Sequence, residues 1–147
     1  MEKIVNSPEE TKQLAGKIAV KLRVGDVLAL YGDLGSGKTT FTQFLVEALG
    51  IDSKVQSPTF ILARVYERKD AGALESITKV NHLDLYRLQT PSELVDLDLE
   101  EFLTPAEGIT VIEWPEIAEE YLPKNTIRIK FEDLGEEKRK IYVQNLH

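Results

Sequence analysis

Eight consecutive residues, Gly32-Asp33-Leu34-Gly35-Ser36-Gly37-Lys38-Thr39, fit the pattern G-x-x-x-x-G-K-[ST] at every fixed position. The spacing has a chemical reason. Glycines let the backbone curl so that successive N–H groups point at one anionic centre, and no Cβ blocks close approach. A helix that starts at the end of the loop adds the positive end of its dipole. Lys38 brings a point charge to β- and γ-phosphates, and the Thr39 hydroxyl can ligate magnesium. The pattern points to a nucleoside triphosphate, ATP or GTP. A glycine-rich turn with an incidental lysine is the alternative. At ordinary glycine usage it arises on the order of once in a hundred chains of this length.

A phosphate cradle alone does no chemistry. Hydrolysis or transfer needs a second anchor for the metal and a group that orients the attacking oxygen. Asp84 lies in His82-Leu83-Asp84-Leu85-Tyr86-Arg87, where strand alternation puts His82, Asp84 and Tyr86 on one face. An acid at the end of an apolar strand suits a Walker-B-type role; the polar edge of an antiparallel strand would read the same way. Glu113 follows the apolar run Ile109-Thr110-Val111-Ile112. Ligands of open α/β sheets bind outside the carboxyl ends of the strands. A partly exposed glutamate beside a core Trp114 is the plainer reading. Thr59, in Ser57-Pro58-Thr59-Phe60, stands where a γ-phosphate-sensing switch would be placed. A Ser-Pro dipeptide is also a common turn. Lys38, Asp84 and Glu113 are the catalytic candidates.

These residues need elements to hold them. Val27–Tyr31 is a continuous apolar run of the kind a parallel strand covered on both faces has. The helix after the loop, Thr39 to about Leu49, carries Phe41, Phe44, Leu45, Ala48 and Leu49 as its buried stripe. Ahead of them, Ser7-Pro8-Glu9-Glu10 reads as a capping box, opening a helix through Leu14, Ile18 and Leu22. Strands are predicted over Ile61–Glu67 and Ile77–Asp84, joined by a long charged connection from Arg68 to Ser76. A short helix or two opens at Thr90-Pro91-Ser92-Glu93. Two last strands, Thr126–Phe131 and Lys138–Gln144, flank a turn at Asp133-Leu134-Gly135. The order predicts an α/β fold, a mixed, mostly parallel sheet flanked by helices with antiparallel additions, as one domain over residues 1–147.

Composition bounds the function. The 147 residues carry a net charge of −7 and no cysteine, so disulfides and thiolate sites are excluded. No apolar run reaches the roughly 20 residues of a membrane span, and the N-terminus has no secretory h-region. A cytoplasmic location is expected. The acidic balance argues against broad adhesion to nucleic acid. Basic residues near the C-terminus, among them Arg128, Lys130 and Arg139, read as the solvated face of a hairpin rather than an RNA patch.

Taken together, GDLGSGKT, SPTF, HLDLYR and IEWPE, in this order, closely resemble the TsaE family (also called YjeE). These are small bacterial P-loop ATPases required for threonylcarbamoyladenosine formation in tRNA. The resemblance runs over essentially the whole chain. It implies a P-loop ATPase fold binding ATP with Mg²⁺, weakly active alone and stimulated by partners. By the same resemblance, Thr39 and Glu113 are the magnesium positions, and Gly35, Ser36, Gly37, Lys38, Thr39 and Thr40 the phosphate cradle. Thr11 touches the nucleotide base, Thr59 is the switch threonine, Asp84 the acidic motif residue and Trp114 the aromatic beside the site. The partners implied are TsaD and TsaB, with tRNA reached indirectly through their complex, which ATP hydrolysis resets between turnovers. Three other readings compete. A small P-loop kinase is compatible with the cradle, but the arginines are scattered rather than gathered in a lid. A GTPase lacks its D-x-x-G and has His82 where N-K-x-D needs lysine. A nucleotide-gated binding module would use the same loops. Arg87 is the nearest arginine-finger candidate by motif; an arginine that simply pairs with a carboxylate would read the same way.

Overall fold

The computed structural model describes residues 1–52, 54–55, 62–68 and 77–147. Thr59 and its Ser57-Pro58-Phe60 neighbours lie outside the described residues, as do Ile61 and residues 69–76 of the charged connection. Among the described residues, one sheet is built from β1 (Glu2–Val5), β2 (Val27–Tyr31), β3 (Ala63–Glu67), β4 (Lys79–Asp84), β5 (Gly108–Glu113), β6 (Ile127–Gly135) and β7 (Lys138–Gln144). Their order across the sheet is β1-β7-β6-β2-β5-β4-β3. The central pairings, β6 with β2, β2 with β5 and β5 with β4, are parallel. The flanking pairings are antiparallel. The expected mixed sheet is present, with its parallel part gathered at the centre, where both faces are covered.

Alternation along the central strands feeds two cores. Leu28 and Leu30 of β2, with Ile109 and Val111 of β5, face α1 (Pro8–Ala19) and α2 (Lys38–Ala48). They meet Leu14, Ile18, Phe41 and Leu45 there, and all eight side chains are buried. Val27 and Ala29 of β2, Leu83 of β4 and Ile112 of β5 join the second core. Its cover is a 3-10 helix at Pro91–Leu97, α3 (Leu99–Leu103) and a second 3-10 helix at Pro115–Tyr121. Each fully buried leucine or isoleucine contributes about 1.5–3 kcal/mol over leaving it in water. No helix among the described residues is long and apolar enough to cross a membrane.

Local chemistry sets the ends. Ser7 Oγ accepts the Glu10 N–H at 3.3 Å, as a cap should. The Glu10 carboxylate returns to the N–H of Asn6, one residue earlier than a capping box would place it. The last hairpin differs more. β6 runs on through Gly135, with a register slip between Asp133 and Gly135. The turn falls instead on Glu136 and Glu137, whose φ values are 51° and 68°. The slip uses up the glycine inside the strand and passes the turn to the next two residues.

Parallel pairing fixes where the strands stop. Asp84 of β4 and Leu30 of β2 both lie opposite Glu113 of β5, so three strand ends share one edge. The other end of β5 depends on Gly108. A Cβ there would sit 1.7 Å from the Lys79 carbonyl oxygen, which is backbone and cannot swing away. Gly108→Ala is therefore expected to cost about 3 kcal/mol or more. The urea midpoint checks this, and a midpoint equal to the parent's would contradict the packing described.

Candidate phosphate-binding site

The loop between β2 and α2 is held from several sides. Gly32 has a φ of 151°, and a Cβ on it would meet Ser36 Oγ at 2.6 Å and the Phe131 carbonyl at 2.8 Å. Only glycine fits. Just before it, the Tyr31 hydroxyl donates to Glu119 Oε2 at 2.6 Å, and Arg128 bonds Glu119 Oε1 at 2.8 Å. Burial, reinforced by the bond to Glu119, pushes the Tyr31 phenol up to about 12. On the far side, Arg139 Nε donates to the Ser36 carbonyl at 3.2 Å while its Nη1 pairs with Asp133 at 3.0 Å. So a cation read from sequence as part of a solvated hairpin face braces the loop.

Lys38 is 4% exposed. Its ammonium donates to the Gly32 carbonyl and lies 3.6 Å from the centroid of the Trp114 ring, a separation at which the ring face attracts a cation. Trp114 in turn packs on Tyr86, with centroids 4.8 Å apart. Its backbone is left-handed, φ 55° and ψ 56°, which costs a non-glycine residue roughly 1–2 kcal/mol. Strain of this kind, kept at the mouth of a site, points to function. Here it turns the indole over the lysine.

One residue on, the Thr39 hydroxyl lies 3.2 Å from each oxygen of the Glu113 carboxylate. Glu113 Oε2 is also 2.6 Å from His82 Nε2, and His82 Nδ1 is 3.2 Å from the Tyr66 hydroxyl. His82 is fully buried. Asp84, at the same edge, accepts the Tyr86 N–H at 2.9 Å. Lys38, Thr39, Asp84, Glu113 and Trp114 line one cavity of about 280 Å³ with Gly35, Gly37 and Thr40. A second cavity, about 150 Å³, shares Gly37, Thr40 and Arg139 and adds Ser7, Thr11, Ser36 and Phe131.

Thr11, Gly35, Ser36, Gly37, Lys38, Thr39, Thr40, Asp84, Glu113 and Trp114 thus each line one or both of two cavities that share residues, whereas Arg87 lines neither and Thr59 lies outside the described residues. His82, Tyr66 and Arg139 were not singled out. The only sequence signal for His82 was its place on the same strand face as Asp84. Two features test the fit of a triphosphate with magnesium. Ser36 Oγ is buried with no hydrogen-bond partner among the described residues, leaving a hydroxyl available to an acceptor. Thr39 and Glu113 also form a hydroxyl–carboxylate pair. Magnesium is commonly held by one or two carboxylates together with substrate phosphates. The residues fit.

The fold and this site define a P-loop α/β protein. The chain belongs to the TsaE family: the family model described as "Threonylcarbamoyl adenosine biosynthesis protein TsaE" matches residues 5–141. The "tRNA threonylcarbamoyladenosine biosynthesis protein TsaE" of Bacillus subtilis is 39% identical over 135 residues, 92% of this chain and 79% of the relative. The protein of the same name from Aquifex aeolicus is 40% identical over 144 residues, 97% of this chain and 94% of that one. Among solved structures, the crystal structure of Bacillus subtilis YdiB superposes with a TM-score of 0.76 at 34% identity, covering 97% of this chain and 83% of that one.

Burial pushes the Lys38 ammonium below the ordinary lysine range, against the opposing pull of Glu113, Glu116, Asp84 and Asp33. The folded chain then releases this proton before the unfolded chain does. Stability therefore rises with pH between the folded value and the unfolded one of about 10.4. Trp114→Ala uncovers the ammonium and should raise its midpoint toward the ordinary range. Side-chain NMR titration of the lysines reads both. Lys38 titrating with the exposed lysines in the parent would contradict this account.

Proposed function

We propose that this protein binds and hydrolyses ATP with magnesium as a component of the tRNA threonylcarbamoyladenosine machinery. It resets a TsaD–TsaB complex between turnovers and reaches tRNA only through that complex, in the cytoplasm. The observation that carries the nucleotide part is the Thr39 hydroxyl facing both oxygens of Glu113 at 3.2 Å, one residue from the buried Lys38. Membership of the TsaE family supports the tRNA part.

In this reading the N–H groups of residues 35–40 and the Lys38 ammonium hold the phosphates. Magnesium, when bound, neutralises charge developing across the β- and γ-phosphates, and Thr39 and Glu113 would hold it. His82 keeps the Glu113 carboxylate turned toward Thr39, an orienting role of the kind that second partners of metal ligands play. Asp84, whose charge acts on Lys38, would orient the attacking water. Thr11, lining the second cavity with Thr40 and Ser36, receives the base. Trp114 and Tyr86 close one wall and keep bulk water from the ammonium.

Multiple-turnover tRNA modification with TsaD, TsaB and ATP tests the proposal. Lys38→Ala and Glu113→Gln should each lower ATP turnover by about a hundred-fold or more and stop modification after the first round. Continued rounds with Lys38→Ala, or with a nonhydrolysable ATP analogue, would refute the resetting role. His82→Gln should retain nucleotide binding but weaken the magnesium dependence by about ten- to a hundred-fold.

A further inference from the structure

We infer that the groove between the 3-10 helix Pro91–Leu97, α3 and the end of the 3-10 helix Pro115–Tyr121 is a docking surface for a cationic, amphipathic segment of a partner protein. The groove is a cavity of about 520 Å³, with Leu94, Leu99 and Leu103 among its lining residues. Val95 and Tyr121 line it too, 77% and 53% exposed. A single exposed apolar side chain is ordinary, but two flanking a continuous apolar floor mark an interaction site.

Charge selects the occupant. From Leu88 to Pro123 the chain has ten acidic residues and no lysine, arginine or histidine. The whole chain carries only −7, so the remainder is net basic. Asp98 and Glu100 line the groove and are exposed, as is Asp96 beside them. None of these three pairs with a cation among the described residues. RNA would meet like charge here. A second copy placing the same patch on itself would also set acid against acid. A segment with leucine-like side chains for the floor and lysine or arginine for the rim satisfies both features.

The groove adjoins the phosphate site without belonging to it. One wall leaves Asp84 through the Leu85–Thr90 connection and the other leaves Glu113 through Trp114. The Tyr86 and Trp114 rings join the two connections. An occupant would therefore press on the segments that set Trp114 over Lys38. The inference goes beyond the nucleotide reading and stands without it.

The test is an amide NMR titration of the full chain with a synthetic leucine–lysine peptide of helical spacing. Shifts are expected to gather at residues 91–103 and 115–121. The double change D98K/E100K should weaken binding about ten-fold or more. Val95→Ser should weaken it without altering charge, and Asp52→Lys, near the other core, should leave it unchanged. Thermal unfolding checks that each variant is folded. Scattered shifts, or equal affinity of D98K/E100K and the parent, would overturn the inference. So would the same residues shifting with tRNA, or with protein concentration alone, which would assign the groove to RNA or to a second copy.

Discussion

The nucleotide end of this fold is organised around an ammonium taken out of water. Withdrawing Lys38 from solvent costs several kcal/mol unless other groups replace its hydration. The replacements come from separate elements: the Gly32 carbonyl after β2, the Trp114 face after β5, and carboxylates that end β4 and β5. None of them is near Lys38 unless β2, β4 and β5 stop at one edge. Parallel pairing in the observed register brings that about. Burial still outweighs the carboxylates and holds the Lys38 ammonium below the ordinary lysine range.

A second line of contacts runs through the sheet. Tyr66 of β3 meets His82 of β4, His82 meets Glu113 of β5, and Glu113 meets Thr39 of α2. These groups are polar and lie in or against the core, where an unpaired member would cost more than its bond contributes. Each is paired, so the carboxylate facing Thr39 is fixed by three elements at once. The Tyr86–Trp114 pair, by contrast, sits on the two short connections that lead from these strand ends toward the acidic groove.

Contiguous features could be read from the sequence, and features that depend on register could not. The cradle, β2 and α2 were legible because glycine spacing, an unbroken apolar run and a helical stripe are all local. Asp84 and Glu113 were legible as acids at strand ends. His82 was not recognised as the partner of Glu113, because only the pairing of β4 with β5 decides that they meet. Arg139 was read with the solvated hairpin, since nothing local says that β7 passes beside the loop. The hairpin turn moved by two residues because the slip at Asp133 and Gly135 belongs to the pairing of β6 with β7.

We propose that residues 32–39 form a cradle for a triphosphate whose magnesium Thr39 and Glu113 would share. The most direct measurement is titration of the nucleotide-free chain with ATP, with and without magnesium, followed by calorimetry and amide NMR. One binding site is expected, tighter with magnesium, with the largest shifts at the amides of 32–39 and at Glu113. Absence of binding, indifference to magnesium, or shifts centred elsewhere would contradict it.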